Sequence, residues 1–304
     1  MFGLSASVVW DTFWSTDDER RSGLKFGVVM FVTDYSMTVR DLATAVEERG
    51  FESLFLPEHS HIPTIRRSPW PGGPELPRHY LHTLDPFAAL TAAASCTTNL
   101  LLGTGVCLVV QRDPIHLAKE VATLDLLSGG RFLFGIGGGW NREEMANHGT
   151  DPSKRFEIMR ENVLAMKTIW ANDEAEYHGE HVSFDPLWQW PKPVQKPHPP
   201  ILVGGDGPTV LERVLEYGDG WFPLHGRGEA PIGERVAELN RLARERGREP
   251  IPVTMFSAPS QHQTVEEFID AGVSRCVFAV PSSGVEQVLP VLDRLTEMIE
   301  SFGK

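Results

Sequence analysis

The chain has 304 residues, 41% of them hydrophobic, enough to fill one large core. Lys and Arg total 28 against 41 Asp and Glu, a net charge of −13 with no basic block, which argues against nucleic acid and anionic membranes as partners. No apolar run approaches the roughly 20 residues a membrane-spanning helix needs, and Cys96, Cys107 and Cys276 form no CxxC pair, so they read as reduced, buried thiols of a cytoplasmic protein.

Residues 1–23 lack a basic start and a long apolar centre, so no secretory signal is expected there. They read as an N-terminal extension, docked or disordered, ahead of one domain over residues 24–304. Lys25–Phe31 is an apolar run and the first buried strand. Ser36 offers a cap to a helix with Val39, Leu42, Ala43 and Val46 on one face, stopped by Gly50. Ser53–Leu56 is the second strand, ending at Pro57-Glu58-His59. A Pro- and Gly-rich loop of lid length then runs to Thr83. Asp85-Pro86 starts the next helix, with an acceptor at the N-cap and proline at the first helical position.

Leu100–Val106, interrupted by Gly103 and Gly105, is strand three. Asp113-Pro114 repeats the helix start, Leu117, Val121 and Leu124 share a face, and Ser128-Gly129-Gly130 stops that helix. Arg131–Ile136 is strand four. It runs into Gly137-Gly138-Gly139-Trp140, where Asn141 and Glu144 have capping-box spacing. Phe156, Met159, Val163, Met166 and Trp170 mark a strong helix. Residues 171–199 break the rhythm and read as an insertion packed on the scaffold. Ile201–Val203 is strand five, ending in Gly204-Gly205-Asp206-Gly207-Pro208, with a helix from Thr209. Gly220–Pro223, Val253–Ser257 and Cys276–Val280 are strands six to eight. Thr264 with Glu267 predicts a capping box for the seventh helix. Pro290 costs the last helix a backbone bond unless it lies in the first turn.

Eight apolar strands alternate with helices, and none is followed by a hairpin signal such as Asn-Gly. The pattern predicts an α/β fold, a (β/α)8 TIM barrel with an insertion after strand 4; an open doubly wound sheet is the alternative. In a barrel, function sits at the C-terminal ends of the strands. Those ends gather Glu58 and His59; Thr104, Gly105 and Val106; Gly138, Gly139, Trp140, Asn141 and Glu144; and Gly204, Gly205, Asp206, Gly207 and Thr209. Glycines let backbone approach a ligand, and amides at a helix N-terminus bind phosphate, so two glycine loops on neighbouring strand ends point to an anion or cofactor site. Gly135–Gly139 is not a GxGxxG fingerprint in a first βαβ unit, and no P-loop lysine follows it. His59 and His61 form a His-x-His pair of the kind metal-dependent barrel hydrolases use. The later strand ends add only Asp206 and His225, so no metal is expected. His59 suits proton transfer near neutral pH, against the alternative of a hydrogen-bonded rim histidine.

The blocks LLLGTGVCLVVQRDPIHLAKEVATLDLLSGGRFLFGIGGGWNREE, RFEIMRENVLAMKTIW, PKPVQKPHPPILVGG and GDGWFP, in that order, resemble the luciferase-like monooxygenase superfamily. More narrowly they resemble its coenzyme F420-dependent oxidoreductase branch, from Lys25 to the C-terminus. The resemblance implies a homodimer of barrels with a flavin or deazaflavin across the C-terminal face. Glu58 and His59 would face the ring, Glu58 departing from the Asp often found there. Gly105-Val106 matches a bulge that is often a non-prolyl cis peptide. The strand-four residues match a cofactor loop, and Gly204–Gly207 with Thr209 the phosphate side. The implied activity is hydride transfer between reduced F420 and an organic small molecule under the Pro57–Thr83 loop, with His59 handling the proton. FMN-dependent monooxygenation is the alternative, and a cofactor carrier without turnover a third reading. Arg66, Arg67, Arg78, Arg142 and Lys154 would meet the anionic tail that distinguishes F420 from FMN.

Overall fold

The structure, a computed structural model, describes residues 23–302; the N-terminal extension expected over residues 1–23 lies almost wholly outside them. Eight strands make the barrel: β1 (Lys25–Val29), β2 (Ser53–Leu56), β3 (Leu101–Thr104), β4 (Phe132–Ile136), β7 (Ile201–Gly204), β8 (Gly220–Phe222), β9 (Thr254–Phe256) and β10 (Arg275–Ala279). All pair in parallel in the order β8-β7-β4-β3-β2-β1-β10-β9. Parallel bridges Trp221–Val253 and Leu224–Phe256 join the two ends of that order. The Trp221 amide donates to Pro252 O at 2.9 Å and the Phe256 amide to Pro223 O at 2.8 Å, so the sheet closes on itself.

The apolar runs have a simple cause: successive strand residues point to opposite faces, and both faces are buried. Val29, Phe55, Leu133, Leu202, Phe222 and Val277 point inward and fill the barrel. Their neighbours Val28, Leu54, Phe134, Val203 and Phe278 join the larger layer beneath the helices. The glycine interrupting strand three makes room for an aromatic: a β-carbon on Gly103 would lie 2.3 Å from the Phe55 ring.

The helices are α1 (Val39–Glu48), α2 (His79–His82), α3 (Pro86–Ala94), α4 (Pro114–Ser128), α5 (Arg142–Asn147), α6 (Arg155–Ala171), α7 (Val210–Tyr217), α8 (Ile232–Glu245), α9 (His262–Asp270) and α10 (Val285–Glu300). Both Asp-Pro starts form: Asp85 accepts the Ala88 amide at 2.9 Å and Asp113 the His116 amide at 2.8 Å. Gly129 closes α4 in the left-handed region at φ 69°. Two local expectations change and a third, for Pro290, is met. Thr38 rather than Ser36 caps α1, because the Ser36 hydroxyl closes a turn back onto Thr33. Helix α9 already begins at His262, which leaves Thr264 inside it and no capping box. Pro290 lies within α10 beyond its first turn, so that helix lacks one internal hydrogen bond.

The insertion is there, and it contains a hairpin the sequence did not announce. Strands β5 (Glu174–His178) and β6 (Ser183–Trp188) pair antiparallel. Glu161 of α6 organises their turn, accepting the amides of Glu180, His181 and Val182 at 3.0, 2.7 and 2.9 Å. Among the described residues no helix is long and apolar enough to cross a membrane.

Candidate active site

Strand β2 delivers Glu58 and His59 to the barrel mouth, where they diverge. Glu58 is buried and turns beneath the site. Its Oε2 accepts the Leu108 amide at 2.6 Å and its Oε1 the Arg112 Nε at 2.7 Å. Arg112 also meets Asp85 at 2.7 Å and Glu120 at 2.9 Å. Burial opposes its charge, yet Glu58 beside it holds the guanidinium well above its ordinary range. With both oxygens taken, Glu58 fixes the segment after β3. Cys107 lies in the same buried network, and burial, then the Glu58 charge, push its thiol well above the ordinary range. Burial likewise pushes Cys276 up to about 12, so both thiols are inert.

His59 meets Glu144. Its Nδ1 is 2.7 Å from Glu144 Oε2, with side chains 6% and 0% exposed. Glu144 Oε1 accepts the Ser60 amide at 3.1 Å. The spacing of Asn141 and Glu144 forms only half of a capping box. Asn141 Oδ1 accepts the Glu144 amide at 3.2 Å, but the Glu144 carboxylate reaches to His59 and Ser60 instead of back to Asn141. Aromatic rings wall the imidazole: Tyr80 at 5.1 Å and Trp140 edge-on at 5.7 Å. Phe31 and Trp70 pack on Tyr80 in turn, at 4.6 and 5.7 Å. Among the described residues His59 Nε2 has no hydrogen-bond partner, which makes it the ring's uncommitted nitrogen.

His61 does not join His59. It turns to the surface, where Ser60 Oγ lies 2.9 Å from His61 Nδ1 and 2.7 Å from His148 Nε2. The loop after β2 closes over the mouth and is tied to the first turn of α5. Glu143 accepts the amides of Arg67 at 3.0 Å and Ser68 at 3.3 Å, and Ser68 Oγ accepts the Arg142 amide at 3.1 Å. The Ser68 hydroxyl and those amides hold the Glu143 carboxyl down to about 2.

The glycine loops divide between packing and open cradle. Thr104 is buried and donates to Gly135 O at 2.7 Å, so it locks β3 to β4 and its side chain is not available to a ligand. The Gly105–Val106 peptide is cis. Val106 explains two glycines: a β-carbon would come within 2.6 Å of it at Gly137 and 3.0 Å at Gly204. Gly138 packs under Phe156, and Gly139 adopts φ +71°. Gly205 differs: at φ +125°, the nearest atoms to a β-carbon are Val210 at 3.7 Å and Arg213 Nη2 at 4.0 Å, and Gly207 would meet nothing within 4 Å. Asp206 receives the Leu224 amide, and burial pushes its carboxyl up to about 6. Thr209, at the start of α7, accepts from Arg213 Nη1 at 2.6 Å.

Two functional candidates escaped the sequence reading. Arg155 and Arg213 both stack on Phe156, with guanidinium carbons 4.4 and 4.0 Å from the ring centroid. Neither makes an ion pair among the described residues, and the Nε of each is buried without a partner. Burial, then the Arg142 charge, lowers Arg155; burial and the Arg155 charge lower Arg213. These half-buried arginines beside Gly138 and Gly205, without a carboxylate partner, could hold an anion, and guanidinium geometry matches phosphate. The signal was their place: Arg213 lies in the helix directly after the β7 glycines, and Arg155 opens the second helix after the β4 glycines. Of the rim cations named from sequence, Lys154 is paired with Glu157 at 2.9 Å. Arg78 stacks on Tyr35 and Arg66 on Trp140, Arg142 stands beside Arg155, and Arg67 gives its amide to Glu143.

The chain belongs to the luciferase-like monooxygenase family, whose model matches residues 28–271. An uncharacterized protein of Mycobacterium tuberculosis is 36% identical over 277 residues, covering 90% of this chain and 97% of its own length. A solved F420-dependent secondary alcohol dehydrogenase, in complex with an F420-acetone adduct, shares the fold with a TM-score of 0.72 at 18% identity, covering 92% of this chain and 99% of that one. The FMNH(2)-dependent dimethylsulfone monooxygenase of Pseudomonas putida is 29% identical over 138 residues, 44% of this chain and 38% of that protein. Proteins similar to this chain thus include both F420-dependent and FMN-dependent enzymes.

Proposed function

We propose that this luciferase-like protein is an oxidoreductase that moves a hydride between reduced coenzyme F420 and an organic small molecule, with His59 carrying the accompanying proton. The observation that carries the reading is the pairing, across one barrel mouth, of a partly free histidine with an anion cradle of unpaired arginines. The residues fit a phosphorylated ring cofactor on two counts. The buried Nε atoms of Arg155 and Arg213 lack acceptors, and the space beside Gly205 is one that a side chain would enter. When bound, the deazaflavin supplies hydride chemistry that no protein side chain provides. Gly205, Gly207, Arg155 and Arg213 would hold its phosphate. Val106, Gly105, His59 and Trp140 would orient its ring. The tied loop and its aromatic rings would exclude water, and His59 Nε2, with Nδ1 held by Glu144, would take up and give back the proton. A cytoplasmic homodimer goes with this reading.

Phosphate recognition alone does not separate F420 from FMN, because both carry one. F420 continues into lactyl and glutamyl groups with further negative charge. Arg66, Arg142 and Arg227 make no ion pair among the described residues and supply positive charge outside the cradle. Exposed pairs contribute roughly 0.2–1 kcal/mol each, so three of them reach the ~1.4 kcal/mol of a tenfold preference. Fluorescence titration with both cofactors at two ionic strengths tests the assignment. F420 should bind at least tenfold more tightly at low salt, the margin shrinking as salt rises. Equal or tighter FMN binding replaces this reading with FMN-dependent monooxygenation.

A further inference from the structure

We propose that Glu144 is a positioning residue that fixes the tautomer of His59, so that the neutral imidazole carries its proton on Nδ1 and turns a lone pair on Nε2 toward chemistry. The inference rests on the reading of His59 as the proton carrier, but its structural part stands without a cofactor.

The direction of each hydrogen bond follows from what the donors can do. An ionised carboxylate only accepts, so the His59 nitrogen 2.7 Å from Oε2 must be the one bearing hydrogen. The other oxygen takes a backbone amide, that of Ser60 at 3.1 Å, and a backbone amide cannot reverse its role. Glu144 is held from its own side as well. It is fully buried, sits in the first turn of α5, and its amide is bound by Asn141. A negative side chain is favoured in that turn by the helix dipole. The other groups against the imidazole, Tyr80 of α2 and Trp140, meet it through their rings. Glu144 therefore decides the tautomer. The Ser60 hydroxyl is secondary: it lies 3.4 Å from Glu144 Oε1 and nearer to His148 and His61.

This geometry makes an unusual prediction for Glu144→Gln. The Ser60 amide still requires an acceptor, so the glutamine oxygen should stay at that position. Its NH2 group then faces His59 Nδ1, which must become the acceptor. The tautomer should invert to Nε2–H. Ser60→Ala keeps the backbone amide and should leave the tautomer unchanged.

The experiment is long-range 1H–15N NMR on the full chain, free of cofactor and labelled at histidine, at a pH alkaline enough to keep the imidazoles neutral. The expected result is Nδ1–H for His59 in the wild type and in Ser60→Ala, and Nε2–H in Glu144→Gln. A purely structural carboxylate would lower the melting temperature of Glu144→Gln without inverting the ring. An Nε2–H tautomer in the wild type, or Nδ1–H retained in a folded Glu144→Gln, overturns the proposal. Should Glu144→Gln not fold, the wild-type and Ser60→Ala spectra still decide it. With F420 bound, kcat of Glu144→Gln should fall at least tenfold and the cofactor KM stay within a few-fold. If the tautomers are as stated and no cofactor binds, only the cofactor reading falls.

Discussion

At the scale of single residues, what an acid does at this barrel mouth depends on which donors reach it first. Glu58 meets an arginine and an amide and braces the segment after β3; Glu144 meets the imidazole of His59. Removing Glu58 with Glu58→Ala should therefore act on stability. Breaking a buried pair costs roughly 3–5 kcal/mol, and because Arg112 keeps Asp85 and Glu120 the loss should be about 3, read from a denaturant midpoint. His59→Asn should instead leave cofactor affinity within a few-fold and lower turnover at least tenfold, within the roughly 10²–10⁴ range of general acid–base catalysis. Turnover unchanged across the pH range would remove His59 from the mechanism. Asp206 gives a pH test with a definite sign. Burial raises its folded-state pKa to about 6, so the folded form binds the proton more tightly than the unfolded chain. Its contribution to stability is present below the ordinary aspartate value and is lost as pH rises through about 6. Asp206→Asn, which keeps an acceptor for Leu224, should raise the melting temperature above pH 6 and change it little near pH 4. A gain of equal size at both pH values would show that ionisation is not the cause.

At the scale of elements, the sequence was legible wherever the signal was local. Asp85-Pro86 and Asp113-Pro114 each carry acceptor and proline within two residues, and both helices start there. Ser36 and Thr264 failed because a nearby alternative won: Thr38 lies next to α1, and α9 starts two residues before Thr264. The β5–β6 hairpin was illegible for a different reason. Its turn is held by Glu161, about one helix away in sequence, rather than by an Asn-Gly pair. The glycine loops were correctly placed at strand ends, but their cations come from the following helices. Arg213→Gln tests that division. A charge-assisted hydrogen bond is worth roughly 1.5–3 kcal/mol, so FMN binding should weaken about 10- to 100-fold while riboflavin, which has no phosphate, is affected little. Equal weakening of both would mean that Arg213 supports the ring pocket rather than the phosphate.

At the scale of the whole molecule, the barrel was readable because eight mostly apolar strands alternate with helices, a pattern that suits a covered parallel sheet and, at eight repeats, favours closure. The site was readable only as a set of strand ends. Its bonds join residues 85 apart for His59 and Glu144, 50 for Glu58 and Leu108, and 31 for Thr104 and Gly135. No local pattern records such distances, so the sequence could place Thr104 and Glu58 at the barrel mouth but not the partners that hold their side chains.

The clasp between Glu143 and the amides of Arg67 and Ser68 has a consequence for timing. It ties loop to helix without touching the cradle or His59, so it governs passage more than equilibrium. The Ser68 hydroxyl and the two amides favour the charged form of Glu143, so mild acidification should leave the clasp in place. Glu143→Ala should speed cofactor entry and escape by similar factors, several-fold each in stopped-flow traces, and leave Kd nearly unchanged. A change in Kd with unaltered rates would assign the loop to affinity instead. On this account Glu143 shares with the Ser68–Arg142 and Ser60–Glu144 contacts the hold that sets how long an occupant stays in the mouth.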